Sequence, residues 1–309
     1  MGKIVTVTLN PALDKTTQVR KLVPGGLNRL ENIVLDAGGK GINVSKMIAA
    51  LGGNSIASGF LGGGSGEEIA RMLHGLRIQA DFVKTGHPTR TNLKVHSVEY
   101  GITEFNEPGD PVSDDDMDAL KKKLTGHAAP DTTFVFAGSL PRDTAPNTYA
   151  DLIHMVKAKG ATVFLDTDGA AFRAAIEAKP DYIKPNTFEL MQYFGKRGAI
   201  EVEGYAALCQ HFIEKGIKMV AVSMGAAGAL FVTATKTLFT PGLVIQARST
   251  VGAGDSMVGA LVYAFHKGMA LHEAAALGIA ASAGAAVTEG TTPPSREVVD
   301  ELLKQVKVQ

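Results

Sequence analysis

The hydrophobic positions of this 309-residue chain fall into two recurring rhythms. Short β-branched and aliphatic runs cover residues 4–9, 133–137, 162–166, 182–184, 219–223 and 230–233, as expected of strands buried on both faces. Between them, apolar residues recur three and four apart over 42–51, 66–76, 115–124, 148–159, 188–194 and 205–215, the spacing of amphipathic helices. A further helix-like run covers 257–265. Ser113 followed by Asp114, Asp115 and Asp116 marks a helix start, so this acidic run reads as structural. The alternation predicts an α/β fold of three layers, a mostly parallel central sheet with helices on both faces.

Two stretches break the alternation. Residues 15–35 and 91–105 are strand-rich, carry Thr, Val, Asn and charged residues, and contain no helical spacing. They read as antiparallel ribbons inserted into the α/β body. A small sheet of that kind could cover a site as a lid or pair with a second copy; plain surface hairpins are the alternative. No internal repeat or low-complexity linker appears, so residues 1–309 are expected to form one domain with a discontinuous β-lid over about 13–36 and 88–108.

Composition narrows the possible partners. Hydrophobic residues make up 45% and charged residues 20%, enough for a sizeable core and against disorder. Lys plus Arg equals Asp plus Glu at 31 each, so no global field favours nucleic acid or a membrane surface, and neither is expected as a partner. Any anion must be held by local arrangement. Cys209 is the single cysteine, which excludes an intramolecular disulfide and a thiolate metal cluster; its amphipathic surroundings suggest core packing. The start of the chain reads as a strand without a signal-peptide core, and the small-apolar run 274–287 is too short and too rich in Ala and Gly to span a membrane. The formal myristoylation pattern at Gly2 and Thr6 falls on that strand and is read as chance. A cytoplasmic protein is the expectation.

The chemistry concentrates in glycine turns. STVGAGDSMVGA (249–260) places Gly252, Ala253 and Gly254 before a helix, with Asp255 at the junction. The first N–H groups of a helix are unpaired and suit an anion, and the partly positive helix end would keep an Asp there ionised. Donors for a phosphate beside a charged base are what phosphoryl transfer to an alcohol requires. An N-cap Asp after a tight turn explains the same residues without any function. The segment DAGGKGINVS (36–45) offers a second such turn through Gly38, Gly39 and Gly41. Neither is a P-loop or a dinucleotide fingerprint: Lys40 is followed by Gly41, and Met257 stands where the third fingerprint glycine belongs. The remaining glycine run, 62–66, leaves a dinucleotide-binding oxidoreductase as an outside alternative.

Together these segments resemble the signatures of the ribokinase-like (PfkB) carbohydrate kinase family. The resemblance runs in order through NPALD (10–14), AGGKGIN (37–43), TRTN (89–92), GSLP (138–141), KPNTFE (184–189), SMGAAG (223–228) and the 249–260 motif, and covers essentially the whole chain. It implies a ribokinase-like α/β/α fold with a small β-sheet lid, an ATP- and Mg²⁺-dependent sugar kinase, and a homodimer formed through the lid. Asp255 matches the catalytic base, and Gly252, Ala253 and Gly254 match the anion hole for the transferred phosphoryl group. Asp14 and Asn43, with the Gly38 and Gly39 backbone, match residues that bind the sugar hydroxyls. Lys184, Asn186, Ser223, Gly225 and Gly228 match the ATP side, and Asn186 with Glu189 matches a pair that organises Mg²⁺ largely through water. A capping pair at a helix start is the alternative for Asn186 and Glu189.

Arg90 matches the phosphate-binding arginine of the phosphosugar kinases, with Lys40, Arg29 and Ser139 as further candidates for the same phosphate. A neutral sugar needs no such cation; a sugar phosphate needs charge-assisted donors at its far end. Within the family the resemblance carried by Asn28-Arg29, GKGIN (39–43) and NEPG (106–109) implies fructose 1-phosphate, phosphorylated on its 6-hydroxyl, with tagatose 6-phosphate or fructose 6-phosphate as alternatives. A catalytically silent sugar-phosphate sensor is the non-enzyme alternative, and retention of Asp255 argues against it. Ala137, Arg142, Asp143 and Asp168 depart from the family pattern and leave fine substrate choice open.

Overall fold

The computed structural model describes residues 2–288 and 290–309. In chain order the strands are β1 (Lys3–Thr8), β2 (Ala12–Val19), β3 (Glu31–Gly38), β4 (Ile56–Gly62), β5 (Gln79–Thr85), β6 (Arg90–Ser97) and β7 (Gly101–Asn106). They continue as β8 (Thr132–Ala137), β9 (Thr162–Asp166), β10 (Tyr182–Ile183), β11 (Met219–Ser223), β12 (Gly228–Thr233) and β13 (Thr237–Pro241). The helices are α1 (Lys40–Ala50), α2 (Gly63–Gly75), α3 (Asp114–His127), α4 (Thr148–Lys157) and α5 (Gly169–Ile176). The second half adds α6 (Thr187–Tyr193), α7 (Val202–Glu214), α8 (Ala253–His266), α9 (Leu271–Val287) and α10 (Arg296–Leu303).

Nine strands form the main sheet in the order β13-β12-β11-β10-β9-β8-β1-β4-β5. All neighbours from β5 to β11 pair in parallel, and β12 and β13 close one edge antiparallel. Alternate residues of β1 point to opposite faces: Val5 and Val7 pack with α3, α4, α5 and α7, while Ile4 packs with α1, α8, α9 and α10. This two-sided burial is why the strands are continuously apolar rather than alternating. The chain leaves β1 towards β4 and β5, then returns to β8 on the other side of β1. Such a switch point opens a crevice at the carboxyl ends of the strands, where open α/β sheets bind ligands.

The two strand-rich insertions form one four-stranded sheet in the order β3-β2-β6-β7. They are not simply antiparallel ribbons: β2–β3 and β6–β7 are antiparallel, but the central pair β2–β6 runs parallel, Ala12 opposite Arg90 through Val19 opposite Ser97. Parallel pairing between segments so far apart in the chain leaves no local sequence mark.

Strands β4, β5 and β13 and helices α5, α9 and α10 go beyond the periodicity reading. In β4, IASGFLG is small and glycine-interrupted, and β5 is a polar edge strand. Helix α9 is buried on nearly every side and built from Ala and Gly, so it has no polar stripe to reveal it. The 62–66 glycines end β4 and begin α2, in helical register rather than as a dinucleotide turn. Cys209 is fully buried on α7, where burial pushes its thiol up to about 12.

Candidate active site

The glycine turn at 252–254 sits at the head of α8. Gly252 takes the left-handed conformation (φ 79°) as the N-cap and contributes no side-chain cap. Asp255 is therefore the third helical residue, not the cap. Its carboxylate is buried and Oδ2 accepts a 2.8 Å hydrogen bond from Nδ2 of Asn43 on α1. The Ser256 N–H donates to Gly252 O and the Ala253 N–H to Thr250 O. The N–H groups of Gly252, Gly254 and Asp255 have no partner among the described residues, as the first turn of a helix leaves them. Of the three expected donors, Ala253 is thus turned inward at a long 3.3 Å.

Helix polarity does not decide the charge state of Asp255. Burial pushes its carboxyl above the usual range and the neighbouring Asp166 adds to the effect, against Lys40, the Asn43 bond and Lys184. Desolvation outweighs the helix end because Asp255 is only 8% exposed.

Asp166 is the residue that motif reading missed. It ends β9 at the carboxyl edge of the sheet and is 1% exposed, with Oδ1 3.1 Å from Lys40 Nζ and 3.6 Å from Lys184 Nζ. Burial alone would raise its carboxyl, but Lys184 and Lys40 hold it below the usual range. Lys40 is the mirror case: burial lowers its ammonium, and Asp166, with Asp255 and Glu189, more than reverses this. Asp166 Oδ2 and Asn43 Oδ1 are buried without partners. Unmade hydrogen bonds on buried polar atoms are costly, and both of these belong to side chains that contact the charged groups Asp255 and Lys40. The only sequence signal for Asp166 was an acid closing an apolar strand.

On the small-sheet side, Asp14 accepts from Asn92 Nδ2 (2.9 Å) and Lys94 Nζ (2.8 Å), and both charged side chains are buried. Gly38, cross-strand from Ala12, lies against the Asp14 carboxylate: a Cβ there would come 2.6 Å from Cγ. Gly39 is the N-cap of α1 at φ 111°. Arg90 makes four hydrogen bonds, two to Asn10 O and one each to Asn92 Oδ1 and Glu107 O. Three of its five N–H donors thus hold the backbone at Asn10 and Glu107 and a fourth goes to Asn92, with one left over. Ser139 is exposed after β8 and accepts from Asn10 Nδ2 at 3.3 Å. Arg29 is exposed in the loop between β2 and β3, and among the described residues no hydrogen bond or ion pair brings it to this site.

On the other side, Asn186 and Glu189 form a reciprocal capping box on α6, so the capping explanation holds in full. Burial raises the Glu189 carboxyl, opposed by Lys40. A parallel bridge ties Asn186 to Ser223 at the end of β11, and Gly225 (φ 58°) and Gly228 (φ 113°) shape the turn into β12. Lys184 reaches back to the glycine turn, since a Cβ on Gly254 would stand 3.4 Å from its Nζ. No cluster of three or more His, Cys, Asp or Glu that could hold a metal occurs among the described residues.

Comparison with known proteins places this arrangement. The profile of the pfkB family carbohydrate kinases matches residues 7–297. The 1-phosphofructokinase of Vibrio cholerae is 32% identical over 99% of this chain and 96% of its own length. That of Bacillus subtilis is 35% identical over 99% of both. Phosphofructokinase-2 of Escherichia coli, solved in complex with potassium, superposes with a TM-score of 0.94 at 30% identity over 99% of each chain. The same enzyme is described in a tetrameric inhibited form, with a TM-score of 0.92 at 30% identity over 99% of each chain. With the expected fold, the glycine turn and matching proteins along its full length, this chain belongs to the pfkB family of carbohydrate kinases and is a sugar-phosphate kinase.

Proposed function

We propose that this kinase transfers the γ-phosphoryl group of ATP to the 6-hydroxyl of fructose 1-phosphate, giving fructose 1,6-bisphosphate and ADP. The observation that carries the chemistry is the buried Asp255 carboxylate, oriented by Asn43 beside unpaired helix N–H groups. Asp255 takes the proton from the 6-hydroxyl as that oxygen bonds to the γ-phosphorus and the bond to the β–γ bridging oxygen breaks. A positioned base of this kind contributes about 10²–10⁴-fold. The N–H groups of Gly252 and Gly254 and the ammonium group of Lys184 face the charge that builds on the transferred group. One such backbone donor is worth about 2.7–4 kcal/mol.

Asp14 and Asn43 select sugar hydroxyls, with the Gly38 and Gly39 backbone close by. Lys40 and the remaining Arg90 donor grip the 1-phosphate, supported by Ser139, and Arg29 takes part only if the small sheet or a second copy carries it inward. ATP lies over Ser223, Gly225 and Gly228 with Lys184 and Asn186 beneath. The donor set suits Mg²⁺, an ion that keeps several waters and takes one or two carboxylates plus phosphates. Glu189 and the unpartnered Asp166 Oδ2 would hold it through water, with Asn186 fixing Glu189. When bound, it neutralises charge on the nucleotide phosphates.

The small sheet acts as the lid and as a homodimer surface, together with the α/β body one domain over the chain. No helix among the described residues is long and apolar enough to cross a membrane, and we assign the reaction to the cytoplasm, where ATP is abundant. The decisive measurement is kcat/KM with MgATP for fructose 1-phosphate, fructose 6-phosphate and tagatose 6-phosphate. Fructose 1-phosphate is expected to lead; another sugar leading would overturn the named substrate and leave the kinase assignment standing.

A further inference from the structure

Asp36 lies on β3, directly opposite Asp14 on β2. Both its carboxylate oxygens accept from Lys46 Nζ at 2.9 Å, and Oδ2 also accepts from Thr291 Oγ1 at 2.7 Å. Lys46 is buried on α1, one turn beyond Asn43, and its third proton goes to Ala37 O at 3.0 Å. All three Lys46 donors are therefore used, which links Asp36 to both the small sheet and the helix carrying Asn43.

Thr291 belongs to the connection between α9 and α10, remote in sequence from Asp36. This connection lies against the glycine turn: a Cβ on Gly252 would come 3.7 Å from Thr291 Cα. It also touches the small sheet, since a Cβ on Gly290 would come 3.9 Å from Thr16 Oγ1. One carboxylate thus joins the strand pair that carries Asp14 to the loop that abuts the phosphoryl-binding turn.

We propose that the Asp36–Thr291 hydrogen bond makes phosphosugar and nucleotide binding cooperative, with Asp36 and Thr291 as positioning residues. This rests on the two-site reading given above. A sugar phosphate that orders β2 and β3 sets Asp36, and Asp36 then holds the 290–291 connection against Gly252. The nucleotide no longer bears that ordering cost, so each ligand tightens the other by the same factor.

The test is calorimetric titration of fructose 1-phosphate and of a magnesium-loaded, non-hydrolysable ATP analogue, each alone and with the other saturating. It is run on the wild type, Thr291→Val and Thr291→Ser. Valine keeps the shape and removes the hydroxyl; serine returns the hydroxyl. The wild type is expected to show coupling of about fivefold or more, within the usual range for linked sites. Thr291→Val should bring it below about twofold while each ligand alone binds nearly as before, and Thr291→Ser should restore it. Wild-type coupling retained in Thr291→Val, or independent binding in the wild type, would overturn the proposal. If fructose 1-phosphate does not bind at all, the substrate reading is what fails, and the same criterion is applied with whichever of fructose 6-phosphate and tagatose 6-phosphate binds.

Discussion

At the scale of single residues, the site rests on charges that are costly where they sit. The Asp255 carboxyl is raised above its usual value, so folding favours its protonated form. Below the ordinary aspartate value it is neutral in both the folded and unfolded states and adds no pH dependence. As pH rises beyond that value the unfolded chain ionises first, and stability falls until the folded carboxyl has also lost its proton. Asp255→Asn should therefore lower turnover by at least about a hundredfold and raise the melting temperature at neutral pH. That gain should vanish in melts below about pH 4, and a variant with near-normal turnover would remove Asp255 from the role of base. The acid limb of kcat/KM should likewise lie above the ordinary aspartate value. Asp14 and Lys94 are a buried pair of another kind. Lys94→Met leaves a buried carboxylate without its cation and should cost about 3–5 kcal/mol in denaturant unfolding. Asp255, with three glycine-turn residues before it, was legible in the sequence as a candidate base. Its raised carboxyl was not, because it follows from burial against Asp166, which only the register of β9 beside β8 and β10 brings near.

At the scale of elements, backbone conformation separates glycines that look alike in sequence. Gly252 caps α8 at φ 79°, a region that side-chain-bearing residues enter at a cost of roughly 1–2 kcal/mol. Gly64 is exposed in the first turn of α2 with open space around its Cβ position. Gly252→Ala should therefore lose about 1–2 kcal/mol in chemical denaturation, whereas Gly64→Ala should hold or gain up to about 1 kcal/mol. Equal losses would mean that the α8 turn is not held in the left-handed form. The amphipathic helices were readable because each has one polar face, as α7 does around Tyr205, Cys209 and Phe212. Helix α9 was not, because Ala and Gly on almost every side remove the contrast that periodicity needs.

At the scale of the whole molecule, the small sheet exposes apolar side chains on its two outer strands and their loops: Leu27 (75%), Ile33 (52%), Val34 (60%), Tyr100 (57%) and Phe105 (54%). Unpaired edges with apolar side chains are surfaces that another copy can cover. Ile33→Asp combined with Phe105→Asp should shift the protein towards monomer in sedimentation velocity while leaving the α/β body folded; an unchanged assembly would exclude the sheet as the interface. The alternation along the chain gave the three-layer body, but the joining of residues 12–19 to 90–97 by parallel pairing could not be read, since neither strand carries a mark of its partner.

That pairing has a consequence for how the molecule can be cut. Because β2 is held by β3 on one side and β6 on the other, a protease nick in the exposed loop at residues 20–30 leaves both fragments stitched together by strand pairing. The two pieces should migrate as one on a native gel and separate only in detergent.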